Sequence, residues 1–123
     1  MKLILVTILS LVLTGCASQS IYQWGGYEQM LYQGYKDPTK MEVMQVELAS
    51  HIKSVEQSGK RVAPGLYAEL GTLSLQSGDQ DMALALYARE RDTWPESRGL
   101  MEAMIKNIER RKKPDTETQA DKE

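Results

Sequence analysis

Apolar residues recur along most of this chain at steps of three and four, which is helical spacing. Met41, Met44, Leu48, Ile52 and Val55 form one such stripe, and Gly59 is a natural residue to end it. Asp37-Pro38-Thr39-Lys40 punctuates the chain before it. Thr39 with Glu42 fits a capping box, and Asp37 capping with Pro38 at the first helical position is the rival reading. Leu66, Tyr67, Leu70 and Leu73 give the next apolar face, with Pro64 able to open it and Gly78 to end it. Asp79 can cap a further helix whose inner face is Met82, Ala83, Leu86 and Tyr87, closed by Trp94-Pro95. A last helix places Leu100, Met104, Ile105 and Ile108 inward, and Arg110 to Lys113 lie near its C-terminus, where cations suit the dipole. Earlier in the chain, Tyr27, Leu31 and Tyr35 recur every four residues and predict a further helix with those three as its core face. Its glycines count against it, at about 1 kcal/mol each relative to Ala. No useful length alternates with period two. The fold expected is all-α, built from antiparallel helix pairs.

The first residues carry a different pattern. Lys2 is followed by an apolar run from Leu3 to Leu13, broken only by Thr7 and Ser10. A membrane-spanning helix needs about 20 apolar residues, so this run fits a cleavable secretory signal instead. Leu13-Thr14-Gly15-Cys16 resembles the lipobox of bacterial lipoproteins. That resemblance implies a diacylglyceryl group on Cys16, cleavage just before it, and usually acylation of the new amine. Several chains are what stable anchoring requires, since one acyl chain binds a bilayer only marginally. Ala17 stands where an Asp would resemble an inner-membrane retention signal, so the outer membrane is the expected address, on its periplasmic face. The organisation expected is a signal peptide at 1–15, a lipidated Cys and tether at 16–23, a helical domain at 24–112 and a disordered tail at 113–123. The tail lacks apolar periodicity.

The helix pair from Pro64 to Ser97 resembles a tetratricopeptide repeat. Tyr67, Leu70 and Gly71 take the first aromatic, Leu and Gly places; Ala83, Tyr87 and Pro95 take the small, second aromatic and terminator places. Gly71 and Ala83 would let two helices approach closely, with the aromatics filling the space around them. Ser74 departs from the pattern where Tyr is usual, and Glu90 where Ala is usual. The pair from Trp24 to Ser58 reads as a degenerate repeat, and the last helix as the cap of the stack. In such arrays the first helix of each pair lines a concave, peptide-binding face. The resemblance therefore implies that Glu69, Thr72 and Gln76 point into a short groove.

Taken whole, the chain is similar to a family of small Gram-negative lipoproteins of unknown function. The likeness rests on the lipobox, Tyr22-Gln23-Trp24-Gly25-Gly26-Tyr27, Leu31-Tyr32-Gln33-Gly34-Tyr35 and the single repeat-like hairpin. Members are typically encoded near a lipoprotein resembling the curli secretion pore and a second small lipoprotein. That implies membership of an envelope assembly.

Composition narrows the function further. The net charge is −2, and losing the signal removes Lys2 and no acid, so the remainder is more negative still. Such a chain lacks the basic footprint of a nucleic-acid binder and has no purely electrostatic hold on anionic lipid. One cysteine allows neither an internal disulfide nor a cysteine-rich zinc site. The six Tyr and two Trp, with no Phe, concentrate between Tyr22 and Tyr35. Three readings of that segment stay open: core filling, a partner-binding anchor, and contact with lipid headgroups. Trp24 and Tyr32 are the surface candidates.

Candidates for catalysis are sparse. His51, the only histidine, has no Ser or Cys nucleophile evidently placed for it. Asp79 with Asp81 reads as capping and first-turn charge, without the spacing of a calcium loop. Met41 and Met44 read as core rather than as a copper site, and Trp-Gly-Gly-Tyr lacks what a phosphate loop needs. The expectation is a non-enzymatic lipoprotein without cofactor, metal or small-molecule substrate, acting as a protein–protein adaptor in an envelope assembly or secretion complex, its partner another envelope protein, with a pore-like lipoprotein the candidate. The alternative is a lipoprotein regulator of peptidoglycan synthesis, against which the short tether argues.

Overall fold

A computed structural model describes residues 20–112 of the chain, and among these the architecture is all-α. The signal, the lipobox with Cys16, most of the tether and the tail at 113–123 lie outside the described residues. The helices are α1 (Tyr27–Lys36), α2 (Met41–Gln57), α3 (Leu66–Gln76), α4 (Gln80–Thr93) and α5 (Arg98–Lys112). Short 3-10 turns at Pro38–Lys40 and Pro95–Ser97 join the first and last pairs. Each helix packs chiefly on the next one in the chain, an arrangement consistent with a helical repeat.

The junctions follow from side-chain chemistry. Asp37 accepts from the Thr39 amide at 3.1 Å and the Thr39 hydroxyl at 2.6 Å, with Pro38 opening the 3-10 turn. Those bonds hold the Asp37 carboxyl below the usual carboxylate range. The Asp37–Pro38 reading is therefore the one realised, not the Thr39–Glu42 box. At the end of α2, Gly59 has φ +69°. The amides of Gly59 and Lys60 reach back to the carbonyls of Glu56 and Val55, which satisfies two orphan acceptors. Gly78 repeats this between α3 and α4, at φ +91°, and Asp79 then caps α4 by accepting from the Met82 amide at 2.9 Å. So short a turn forces α3 and α4 to fold back on one another.

Two groups of buried residues make the core. The larger joins Met44, Leu48, Ile52 and Val55 of α2 to Val62, Ala63 and the apolar face of α3. The smaller joins Ala83 and Tyr87 of α4 to Met101 and Ile108 of α5. Each large apolar side chain so buried stabilises the fold by about 1.5–3 kcal/mol. Between them lies a close contact of two helices. A Cβ on Gly71 would stand 2.9 Å from the Tyr87 ring and 3.3 Å from Leu86 Cβ, so α3 and α4 approach at a distance only glycine allows.

Three expected core positions are exposed instead: Tyr35 at 82%, Met82 at 50% and Leu100 at 64%. The reason is one of phase. With 3.6 residues per turn, positions seven apart align within about 20°, while positions eight apart drift by about 80°. The inward-facing series, buried or half-buried, are Tyr27, Leu31 and Gly34; Ala83, Tyr87 and Glu90; Met101, Ile105 and Ile108. Tyr35 lies beyond its series, and Met82 and Leu100 each stand one residue before theirs.

The two departures from the repeat pattern are both buried polar residues with partners. The Ser74 hydroxyl donates to the Leu70 carbonyl at 2.8 Å, and Gln45 of α2 donates to it at 3.4 Å. Glu90 is fully buried. Its Oε1 accepts from the Gly65 amide at 2.7 Å and from the Ser97 hydroxyl at 3.0 Å. Glu90 thus caps α3 from a different helix. That helix begins at Leu66, after Gly65 at φ +90°, so Pro64 sits in the turn before it rather than at its first position.

Candidate functional site

The aromatic segment is fixed at its start and open at its end. Tyr22 meets the Trp94 ring edge-on, centroids 5.4 Å apart, and the Arg61 guanidinium lies over that same ring at 3.9 Å. Arg61 also donates to the Thr93 carbonyl. The folded body therefore reaches back to Tyr22. Two left-handed glycines follow, Gly25 at φ +56° and Gly26 at φ +76°. They turn the chain so that Nε2–H of His51 donates to the Gln23 carbonyl at 2.8 Å. A Cβ on Gly25 would overlap the His51 ring. His51 thus holds the Trp-Gly-Gly-Tyr turn in place. It also borders a wide, open depression of about 740 Å³ between α1 and α2. Among the described residues, no three His, Cys, Asp or Glu gather as metal ligands would.

From Gly26 the helix α1 runs over α2 and α3. Its interior glycine, Gly34, is explained by contact: a Cβ there would stand 2.8 Å from the Met44 sulfur and 3.3 Å from that of Met41. Tyr27, Met30 and Leu31 are partly buried against the larger core group. On the outer side Tyr32 is 62% exposed, with Lys36 Nζ 5.1 Å from its ring centre. Trp24 is 36% exposed and rests at 6.5 Å from Tyr27. Both surface candidates are therefore accessible.

Glu69, Thr72 and Gln76 meet around one cavity of about 130 Å³. Its other walls are Leu31, Gly34 and Tyr35 of α1, Met41 and Met44 of α2, and Leu73. The groove side of α3 is thus roofed in part by α1. The three residues differ in what they offer. The Thr72 hydroxyl is engaged with the Ala68 carbonyl and with the Tyr87 hydroxyl, each at 3.0 Å. Gln76 is exposed. Glu69 is half-buried, and burial raises its carboxyl above the usual carboxylate range. Its charge acts on the Tyr27 phenol, which burial, Glu69 and Tyr35 together push up to about 12.

Trp24 and Tyr32 do not border this cavity. Tyr32 flanks a shallow surface depression with Glu28, Gln29 and Gln33. Tyr35, assigned to the core by its spacing from Leu31, is the aromatic that borders the cavity. Its seven-residue partner, Glu28, is polar, and that was the available signal that Tyr35 faces outward. Val43 and Val46 of α2, also exposed, were not singled out by any pattern.

Among the described residues no helix is long and apolar enough to cross a membrane. No curated protein and no solved structure matches the chain. The sequence model of a family described as a domain of unknown function (DUF4810) matches residues 21–104, and the chain belongs to that family.

Proposed function

We propose that this protein is a non-enzymatic lipoprotein, anchored through Cys16 at the periplasmic face of the outer membrane, that joins another envelope protein to a larger assembly. The observation that carries this reading is the meeting of Tyr35 with Glu69 and Gln76 around one partly open cavity. An aromatic ring, a carboxylate and an amide around an apolar floor are a recognition surface. Nothing there supplies a nucleophile beside a base, so the chemistry available is binding.

We read Pro64–Ser97 as one tetratricopeptide-like repeat. The contact of Gly71 with Tyr87 supports this, as does the burial of Ala83. With so short a groove, affinity must come partly from elsewhere. Confinement to the membrane plane supplies it, because an anchored pair meets at raised effective concentration without any new contact.

Two experiments test the reading. Cys16→Ser should release the protein from the outer-membrane fraction; unchanged fractionation refutes the anchor. The lipidated wild type, isolated from solubilised envelopes, should carry a defined companion protein that Tyr35→Ala loses. Equal recovery of that companion by both chains would remove the site. Recovery of a peptidoglycan synthase as the companion would replace the adaptor role with a regulatory one.

A further inference from the structure

We propose that the cavity between α1 and α3 receives a single lysine or arginine side chain of a partner protein, its stem against Leu31, Met41 and Met44 and its cation on Glu69. The inference rests on the adaptor reading and names the partner's chemistry at that site.

Size comes first. At about 130 Å³ the cavity is near the ~150 Å³ that admits one benzene-sized guest, so it suits one side chain and not a helix. Its walls come next. Two methionine sulfurs converge over Gly34, and thioether side chains adjust to an unbranched stem better than branched ones do. Charge decides the tip. Glu69 is half-buried, and burial is what raises its carboxyl. Glu69 has no hydrogen-bond partner among the described residues, whereas Oε1 of the buried Glu90 and Oε1 of the half-buried Glu56 each have two partners. A carboxylate partly withdrawn from water and without a side-chain partner is less well stabilised than one in open solvent, and an incoming cation offsets that loss. A neutral apolar side chain would fill the same space and leave it unpaid.

The test uses the full chain in detergent micelles, labelled with carbon-13 at the methionine methyls. The probes are the acetylated pentapeptide Gly-Ser-Lys-Ser-Gly and its counterpart with norleucine in place of lysine. The lysine peptide should shift the Met41 and Met44 methyl signals and lower the Glu69 pKa. The norleucine peptide should bind about tenfold more weakly, and so should the lysine peptide to Glu69→Gln. Gln76→Lys is the second variant. Helix side chains lean toward the N-terminus, so its ammonium reaches back toward Glu69 and should exclude the probe while the chain stays folded. Equal binding of the two peptides, or undiminished binding to both variants, overturns the proposal. If neither peptide binds while a companion is still lost with Tyr35→Ala, the pocket inference fails and the adaptor reading stands. If the lysine peptide binds as described and no companion is found, the pocket inference stands alone.

Discussion

The α3–α4 hairpin and the α1 segment are built on opposite plans. In the hairpin, Gly71 and Ala83 remove side-chain bulk so that backbones close on one another, and Tyr87 fills what is left. Buried polar side chains there are tied down: Ser74 on Leu70 and Gln45, and Glu90 through Oε1 on Gly65 and Ser97, with Glu90 Oε2 left without a partner among the described residues. In α1 the entry is two left-handed glycines without a side-chain cap, Gly34 is its only fully buried residue, and two of its three rings, Tyr32 and Tyr35, point outward. One region spends its residues on a single packing. The other keeps them available. The contrast teaches where the chain can lose stability and where it can lose binding, and that these are different places.

The largest expected effect is in the hairpin. Ala83→Leu adds three carbons where no space exists and should destabilise the fold by about 3 kcal/mol. Thermal unfolding reads this directly; an unaltered melting curve would break the close-contact account. Glu90→Ala comes next. It leaves the Gly65 amide and the Ser97 hydroxyl without their acceptor, at a cost of about 1–3 kcal/mol in urea unfolding. A neutral result would mean that water replaces the carboxylate.

A pH effect follows from Tyr67. Burial and the bond to Glu56 push its phenol from 10.0 to about 12. The folded state therefore prefers the protonated phenol more than the unfolded state does. Stability from this source is complete below pH 10 and is lost as pH rises from 10 to about 12. Tyr67→Phe should flatten that part of the stability curve. The smallest effect belongs to α1. Tyr35→Ala should change stability by no more than about 0.5 kcal/mol, because the ring is exposed, while binding falls. A large loss of stability would show that α1 is core after all, and the comparison would collapse.

Much of the fold was legible in the sequence because its signals are local. The α2 stripe, the turns at Gly59 and Gly78 and the Asp79 cap each depend on residues within one or two turns of helix. The burial of Val62 and Ala63 was not legible, since the two stand alone between helices, beside the cations Lys60 and Arg61 and outside any periodic stripe. Arg61 covers Trp94, a partner 33 positions along the chain. Glu90 stood out as a departure from the repeat, but its role depends on Gly65, 25 residues away. At the candidate site, Glu69 and Gln76 followed from the repeat resemblance. Tyr35 did not, because a four-residue step repeated twice drifts off its face. The roof that α1 makes over α3 is a tertiary fact with no local pattern.

The most direct measurement is an in-cell photo-crosslink from Tyr35, replaced by a photoreactive amino acid, beside the same replacement at Leu100. Both positions are strongly exposed, and only the first borders the cavity. The account predicts a discrete adduct with one envelope protein from Tyr35 and none of that adduct from Leu100. The same adducts from both positions, or none from Tyr35 in a chain intact at the membrane, would contradict it.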